Sequence, residues 1–242
     1  MTINDLYDAV YYINLEKRPD RRKKFWECNG RFLDKKRTMR VEACDARNTS
    51  PPQILRGALT AGNLESLMLA RTAHAVSYSA PFVDALRNGY KKIFILEDDA
   101  EPLFQDVETF FFYESQAEKL GYDMFYAGGQ IESALDPAED YLYRINKNVL
   151  ATQAISFSYN EKVFEKLAEL NNFNKTYEYF TTHTKLGIYS TDEMISEQLT
   201  PITKAFISKK ILFGQYPDHS DIECRNTNNT KKMKARLKTY EN

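Results

Sequence analysis

Apolar and polar positions along this chain switch repeatedly between a two-residue and a helical period, and the switches mark its elements. AVYYIN (9–14) is a strand-like run closed by the charged turn EKRPDRR, where Pro19 pre-sets a turn or first helical position. Residues 20 to 34 continue as a helix with Phe25, Phe32 and Leu33 on its apolar side, and RVEAC from Arg40 reads as a second short strand. After NTSPPQ, a loop by composition, Leu64, Leu67, Met68, Arg71, Ala75 and Val76 recur at helical spacing until Pro81 ends or kinks the helix. The unbroken IFIL at 93–96 is short, β-branched and aromatic, which suits a central strand covered on both faces.

Downstream, FQDVETFFFYESQAEKL is a helix stopped by Gly121, and DMFYAGG is a strand ending in two glycines. YLYRI and LATQAISFSY flank the Lys147-Asn148 turn and read as antiparallel strands, so a mixed sheet is expected. Asn160 caps a helix over NEKVFEKLAEL, and the aromatic stretch NNFNKTYEYFTTH reads as a loop over a site. A shorter helix begins near Thr191, and ITKAFIS and KILFGQ complete the sheet or its edge. The fold class is α/β, Rossmann-like, with a central mixed, mostly parallel sheet flanked by helices. Residues 1–225 form one domain and 226–242 a basic tail, with no internal repeat and no dividing linker.

Composition changes this picture little. With 242 residues and 43% hydrophobic content the chain has enough apolar mass for one sizeable core. Its 33 basic and 34 acidic residues leave a net charge of -1, so any pull toward nucleic acid or an anionic membrane is local, as on the tail with Lys231, Lys232, Lys234, Arg236 and Lys238. That tail serves an anionic acceptor, a membrane surface or DNA, or else simply solubilises the chain. No window approaches the roughly 18 apolar residues of a membrane span, and the amino terminus lacks a signal-peptide pattern, so a soluble, cytoplasmic protein is expected. Cys28, Cys44 and Cys224 are widely spaced and read as free thiols.

The chemistry concentrates at ILEDD, where Glu97, Asp98 and Asp99 follow the central strand. In open α/β sheets ligands collect beyond the carboxyl ends of strands. Adjacent carboxylates in a partly dry cleft resist joint ionisation, and a divalent cation converts their repulsion into shared attraction. Oxygen-only ligands favour Mg²⁺ or Mn²⁺, which commonly take one or two carboxylates plus phosphate oxygens, so a diphosphate substrate follows. The tripeptide alone serves equally well as an N-cap for a helix near Pro102.

VYYINLEKRPDRRKKF, VEACDARN, the stretch from Ala73 through ILEDDAEP, GYDMFYAGG, STDEMISEQL and GQYPDHSDIE together resemble glycosyltransferase family 25 over about residues 9 to 224. The sharpest pieces are the INLEKRPDRR opening and the ILEDD block. The sequence departs from the family at Thr72-Ala73-His74, where a Ser-His pair is usual, and at Ala46-Arg47, where a glycine is usual. The resemblance implies a GT-A fold, a UDP-sugar donor and transfer with inversion to a glycan or other hydroxyl acceptor, anionic acceptors included.

It also places Glu97, Asp98 and Asp99 on the acidic motif that holds Mn²⁺ or Mg²⁺, with Asp99 as direct ligand and Glu97 on the ribose or a metal-bound water. His219 would add a late metal ligand, assisted by Asp218 or Asp221; an exposed loop histidine is the plainer meaning. His74 falls near the donor pocket, or else packs on its helix. Asn14, Leu15, Arg18 and Arg21 occupy the turn after the first strand, where backbone groups and a guanidinium meet a nucleobase and diphosphate, or where the arginines are simply solvated. Asp45 accepts from a uracil or ribose, or forms a turn before Asn48. Asp192, then Glu193, are the candidates for the general base that inversion requires. Gly128 and Gly129 leave room for a sugar or form a strand-end turn, and Tyr177, Tyr179 and Phe180 stack on an acceptor or pack in the interior. The expected activity is a metal-dependent hexosyl transfer, galactose or glucose; the rivals are a non-catalytic glycan- or nucleotide-binding module and a metal-dependent phosphohydrolase or nucleotidyltransferase.

Overall fold

The computed structural model describes residues 1–49, 62–131, 136–146, 149–183, 190–220, 225–227 and 230. In chain order the strands are β1 (Ala9–Asn14), β2 (Thr38–Glu42), β3 (Lys92–Glu97), β4 (Ala100–Pro102), β5 (Met124–Ile131), β6 (Asp136–Glu139), β7 (Leu142–Arg144), β8 (Val149–Ser158), β9 (Ala205–Ser208), β10 (Phe213–Gln215), β11 (Asp218–Ser220) and β12 (Arg225–Thr227). The helices are α1 (Pro19–Asn29), α2 (Gly62–Asn88), α3 (Val107–Lys119), α4 (Glu161–Ala168), α5 (Phe173–Thr182) and α6 (Thr191–Met194).

Eight strands form one sheet in the order β2-β1-β3-β8-β5-β9-β7-β6. β1 runs parallel to β2 and β3, and β5 parallel to β9. β8 is antiparallel to both β3 and β5, and β7 to both β9 and β6, so only β8 and β7 run against the rest. This is the mixed, mostly parallel sheet read from the sequence. One expectation changes: YLYRI and LATQAISFSY do not pair with each other. β7 sits beside β9 and β6, while β8 fills the gap between β3 and β5.

Side-chain alternation along β3 explains its unbroken apolar run. Ile93 and Ile95 point into a core built with Phe82 of α2 and Phe164 of α4, whereas Phe94 and Leu96 point into a second core with Phe25 of α1 and Phe110 of α3. All four are at most 1% exposed, which is what a strand covered by helices on both faces requires.

Local signals set most helix ends. Pro19 opens α1, Asp106 accepts from the Thr109 N–H to start α3, and Asn160 accepts from the Val163 N–H to start α4. Gly121, at φ 64°, takes the left-handed conformation just past α3. Three expectations are corrected. Pro81 does not end α2, which continues to Asn88. Neither Asp98 nor Asp99 caps a helix, because β4 follows them and α3 starts only at Val107. The stretch read as an aromatic loop is α5, with Tyr177 and Phe180 wholly buried against the α2 side of the core.

Candidate active site

The carboxyl ends of β1, β2 and β3 lie along one edge of the sheet, with Asn14 in register with Glu42 and Ile13 with Glu97. Beside that edge is a cavity of about 150 Å³. Its polar wall is Arg21, His74 and the Glu97–Asp99 segment, and its apolar wall is Ile13, Leu15, Ala43 and Cys44. Helix α2 contributes Ala70, His74 and Ser77, a stripe at helical spacing. Ser77 also accepts from the Cys44 N–H at 2.8 Å, tying the loop after β2 to this helix.

The three carboxylates share the cavity wall but diverge. Asp98 turns back toward the sheet: Asn14 donates to its Oδ2 at 2.7 Å, and Arg21 reaches its Oδ1 at 2.7 Å. The other arm of Arg21 meets Asp99 Oδ2 at 2.6 Å, where Gln215 also donates at 2.8 Å. Glu97 faces α2, with its Oε1 3.2 Å from His74 Nε2. Of the expected metal-binding acids, Asp99 and Glu97 both line the cavity but turn to different partners, and Asp98, expected at the cofactor, is held by Asn14 and Arg21, so Arg21 supplies cationic charge to Asp98 and Asp99.

Burial sets the electrostatics. It pushes Glu97 up to about 7, against the pull of His74, with the Asp99 charge adding to the rise. It pushes Asp98 up to about 7 as well, while Arg21 and Asn14 favour the ionised form. Desolvation would lower His74, but hydrogen bonding and charge from Glu97, with Asp192 and Asp99 nearby, raise it above the usual imidazole value. Burial lowers Arg21 less than Asp99 and Asp98 raise it, so the guanidinium stays charged.

His74 also bonds Thr191 Oγ1 at 3.2 Å, which brings the start of α6 to the cavity. Asp192 lies in this cluster, raised by burial and opposed by His74 and by a hydrogen bond with Thr152. Glu193 turns to Arg71 at 3.3 Å and shares the Ser190 capping arrangement through its N–H. Arg18 does not reach the carboxylates of the β3–β4 turn; it pairs with Asp20 and with Asp218 Oδ2, both at 2.9 Å, and Arg21 holds the same Asp218 oxygen at 2.9 Å. Leu15 lines the cavity. Asp45 lies outside it, on an adjoining open groove, bonded to Lys17 at 2.8 Å and to the Arg47 N–H in the turn arrangement. Gly128 is explained by packing, since a Cβ there would collide with the Phe213 carbonyl oxygen. His219 belongs to β11, but its side chain lies outside the described residues, as do Asp221, Cys224 and the tail from 231.

Gln215, Ser77 and Thr191 were not singled out from sequence. Each is brought to the site by tertiary contacts across 33 to 117 residues, so no local pattern marks it.

A hard divalent cation fits the donor chemistry. Asp99 Oδ1 is buried without a hydrogen-bond partner, and Glu97 beside it engages His74 through Oε1. Among the described residues no three His, Cys, Asp or Glu side chains already converge as a ligand set. No helix among them is long and apolar enough to cross a membrane.

No family model matches the chain, and no curated protein matches it. Among solved structures it is similar to a mannose-1-phosphate geranyltransferase from Thermus thermophilus, at 12% identity over 83% of this chain and 72% of that one, with a TM-score of 0.43. It is also similar to A197 from STIV, at 8% identity over 91% of this chain and 93% of that one, with a TM-score of 0.39.

Proposed function

We propose that the chain is a glycosyltransferase of GT-A type that moves a hexose, galactose or glucose, from a UDP-sugar to a hydroxyl acceptor with inversion. The observation that carries this reading is the cavity at the sheet's carboxyl edge, apolar on the β1–β2 side and walled on the other by Arg21, Glu97 and Asp99. A nucleobase suits the first wall and a diphosphate the second.

Mn²⁺ or Mg²⁺ would be held by Asp99 and Glu97, with His219 as an added ligand, and when bound would neutralise charge on the leaving diphosphate. Arg21, on the cavity wall, would meet the same phosphates. Asp98, anchored by Asn14 and Arg21, holds the turn that aims Asp99. Asp192 takes the proton from the acceptor hydroxyl, a role suited by the rise that burial gives it, and His74 spaces α6 from Glu97. The test is UDP release from UDP-glucose and UDP-galactose with Mn²⁺, with and without hydroxyl acceptors. Steady release that Asp192→Asn lowers by about 100-fold supports the reading, and absence of release from either sugar with every acceptor opposes it.

A second reading, a nucleotide- or glycan-binding module without turnover, draws on the same arginine. Arg21 already neutralises Asp98 and Asp99, so the wall stands without a metal. Donor binding with no release or transfer would favour it.

A further inference from the structure

Residues 17 to 40 carry eleven Lys and Arg against three Asp and Glu, a local net of +8 in a chain whose total is -1. Much of this charge is solvent-facing: the Lys23 side chain is 81% exposed and that of Lys24 51%. Six of the eleven are tied to carboxylates outside the lysine pair, Lys17 to Asp45, Arg18 and Arg21 to Asp218, Arg22 and Arg40 to Glu16, and Arg37 to Asp5, whereas Lys23 and Lys24 only share Glu27, at 3.9 and 4.0 Å. Lys35 has no carboxylate partner among the described residues; its ammonium lies 5.6 Å from the Trp26 ring centre.

Three of these cations, Arg22, Lys23 and Lys35, face one groove. On the outer side of α1, Pro19, Arg22, Lys23, Trp26, Glu27 and Lys35 line an open depression of about 610 Å³. Trp26 is held for presentation: Tyr12 and Phe25 meet it edge-to-face at 5.6 and 5.3 Å, with interplanar angles of 82° and 86°. A fixed indole loses little freedom on binding, and its face stacks on the C–H surface of a pyranose ring. The cations beside it complement an anionic substituent on that ring. Pro19 and Arg22 flank Arg21, so the groove and the active-site cavity use opposite sides of one helix.

We propose that this groove binds an anionic saccharide, a sugar carrying phosphate or carboxylate, at a site separate from the active-site cavity. Trp26 is the single tryptophan of the chain and reports the groove directly. Its fluorescence is titrated with trehalose 6-phosphate, with trehalose and with inorganic phosphate at matched ionic strength, on the parent and on Lys35→Glu and Lys23→Glu, in the absence of any nucleotide sugar. The expected result is a saturable change with trehalose 6-phosphate, none with trehalose, and an affinity reduced by about tenfold or more in each variant while its melting temperature holds. An equal response to inorganic phosphate or to trehalose overturns the proposal, as does parent-like binding by both variants. Displacement of the saccharide by a single-stranded oligonucleotide or by phosphatidylserine vesicles at lower concentration overturns it in favour of a general polyanion surface.

Discussion

Arg21 joins three acidic side chains from two distant parts of the chain, Asp98 and Asp99 after β3 and Asp218 on β11. Its own side chain is 12% exposed and the first two carboxylates 6%, so removing it leaves buried carboxylates with the Asn14 and Gln215 amides but no countercharge in contact. Arg21→Met is expected to cost about 3–5 kcal/mol in urea denaturation, and Arg21→Lys less, since the charge survives but the fork that meets two carboxylates is lost. A second buried acid, Glu114 of α3, lies toward the opposite end of β3, with Lys92 at 3.0 Å and with Tyr122 donating to it. Burial raises its pKa despite the pull of Lys92 and Tyr122. The folded state therefore binds this proton more readily than the unfolded one, and Glu114 withdraws stability as pH rises above about 4.5. Glu114→Gln should flatten that part of the urea-midpoint profile; an unchanged slope would exclude this role. At this scale the acidic block was legible as chemistry because three carboxylates after an apolar strand are a local pattern. Their division between Arg21 and His74 was not legible, because it depends on side chains 23 to 78 residues away.

Among the elements, β3 shows how a pattern maps onto structure: four consecutive apolar residues serve two cores because the sheet has helices on both faces. Helix α5 shows the converse. Asn, Thr and aromatic residues are indifferent helix formers, so NNFNKTYEYFTTH reads as a loop until tertiary packing decides. Burial of Tyr177 and Phe180, with Asn172 accepting from the Lys175 N–H at the start, outweighs that propensity. Pro81 is similar: its missing N–H weakens α2 locally, and the burial of Tyr78, Phe82 and Ala85 along the same helix offsets the loss. Gly128 marks where β10 crosses β5 at close range, with the Phe213 backbone in the space a Cβ would take. Gly128→Ala should therefore cost about 1–3 kcal/mol by displacing β10, read as a lowered urea midpoint with an unchanged far-ultraviolet spectrum.

For the molecule as a whole, the topology gathers the amino-terminal turn, the β3–β4 turn, one face of α2, the start of α6 and the β10–β11 segment at one edge of a single sheet. The parallel β2-β1-β3 half was legible from its strand–helix rhythm, whereas the place of β8 was not, because register between distant antiparallel strands leaves no mark in either sequence. In the proposed function, Glu97 and Asp99 border a nucleotide-diphosphate site that takes a divalent ion. Calorimetric titration of UDP, with and without Mn²⁺, on the parent, Asp99→Asn and Asp45→Asn tests it most directly. The account predicts that Mn²⁺ tightens UDP binding to the parent and to Asp45→Asn by about tenfold or more, and that Asp99→Asn loses this gain while still folding. UDP binding that is absent from the parent, or that is the same in Asp99→Asn with Mn²⁺ as in the parent, would contradict it.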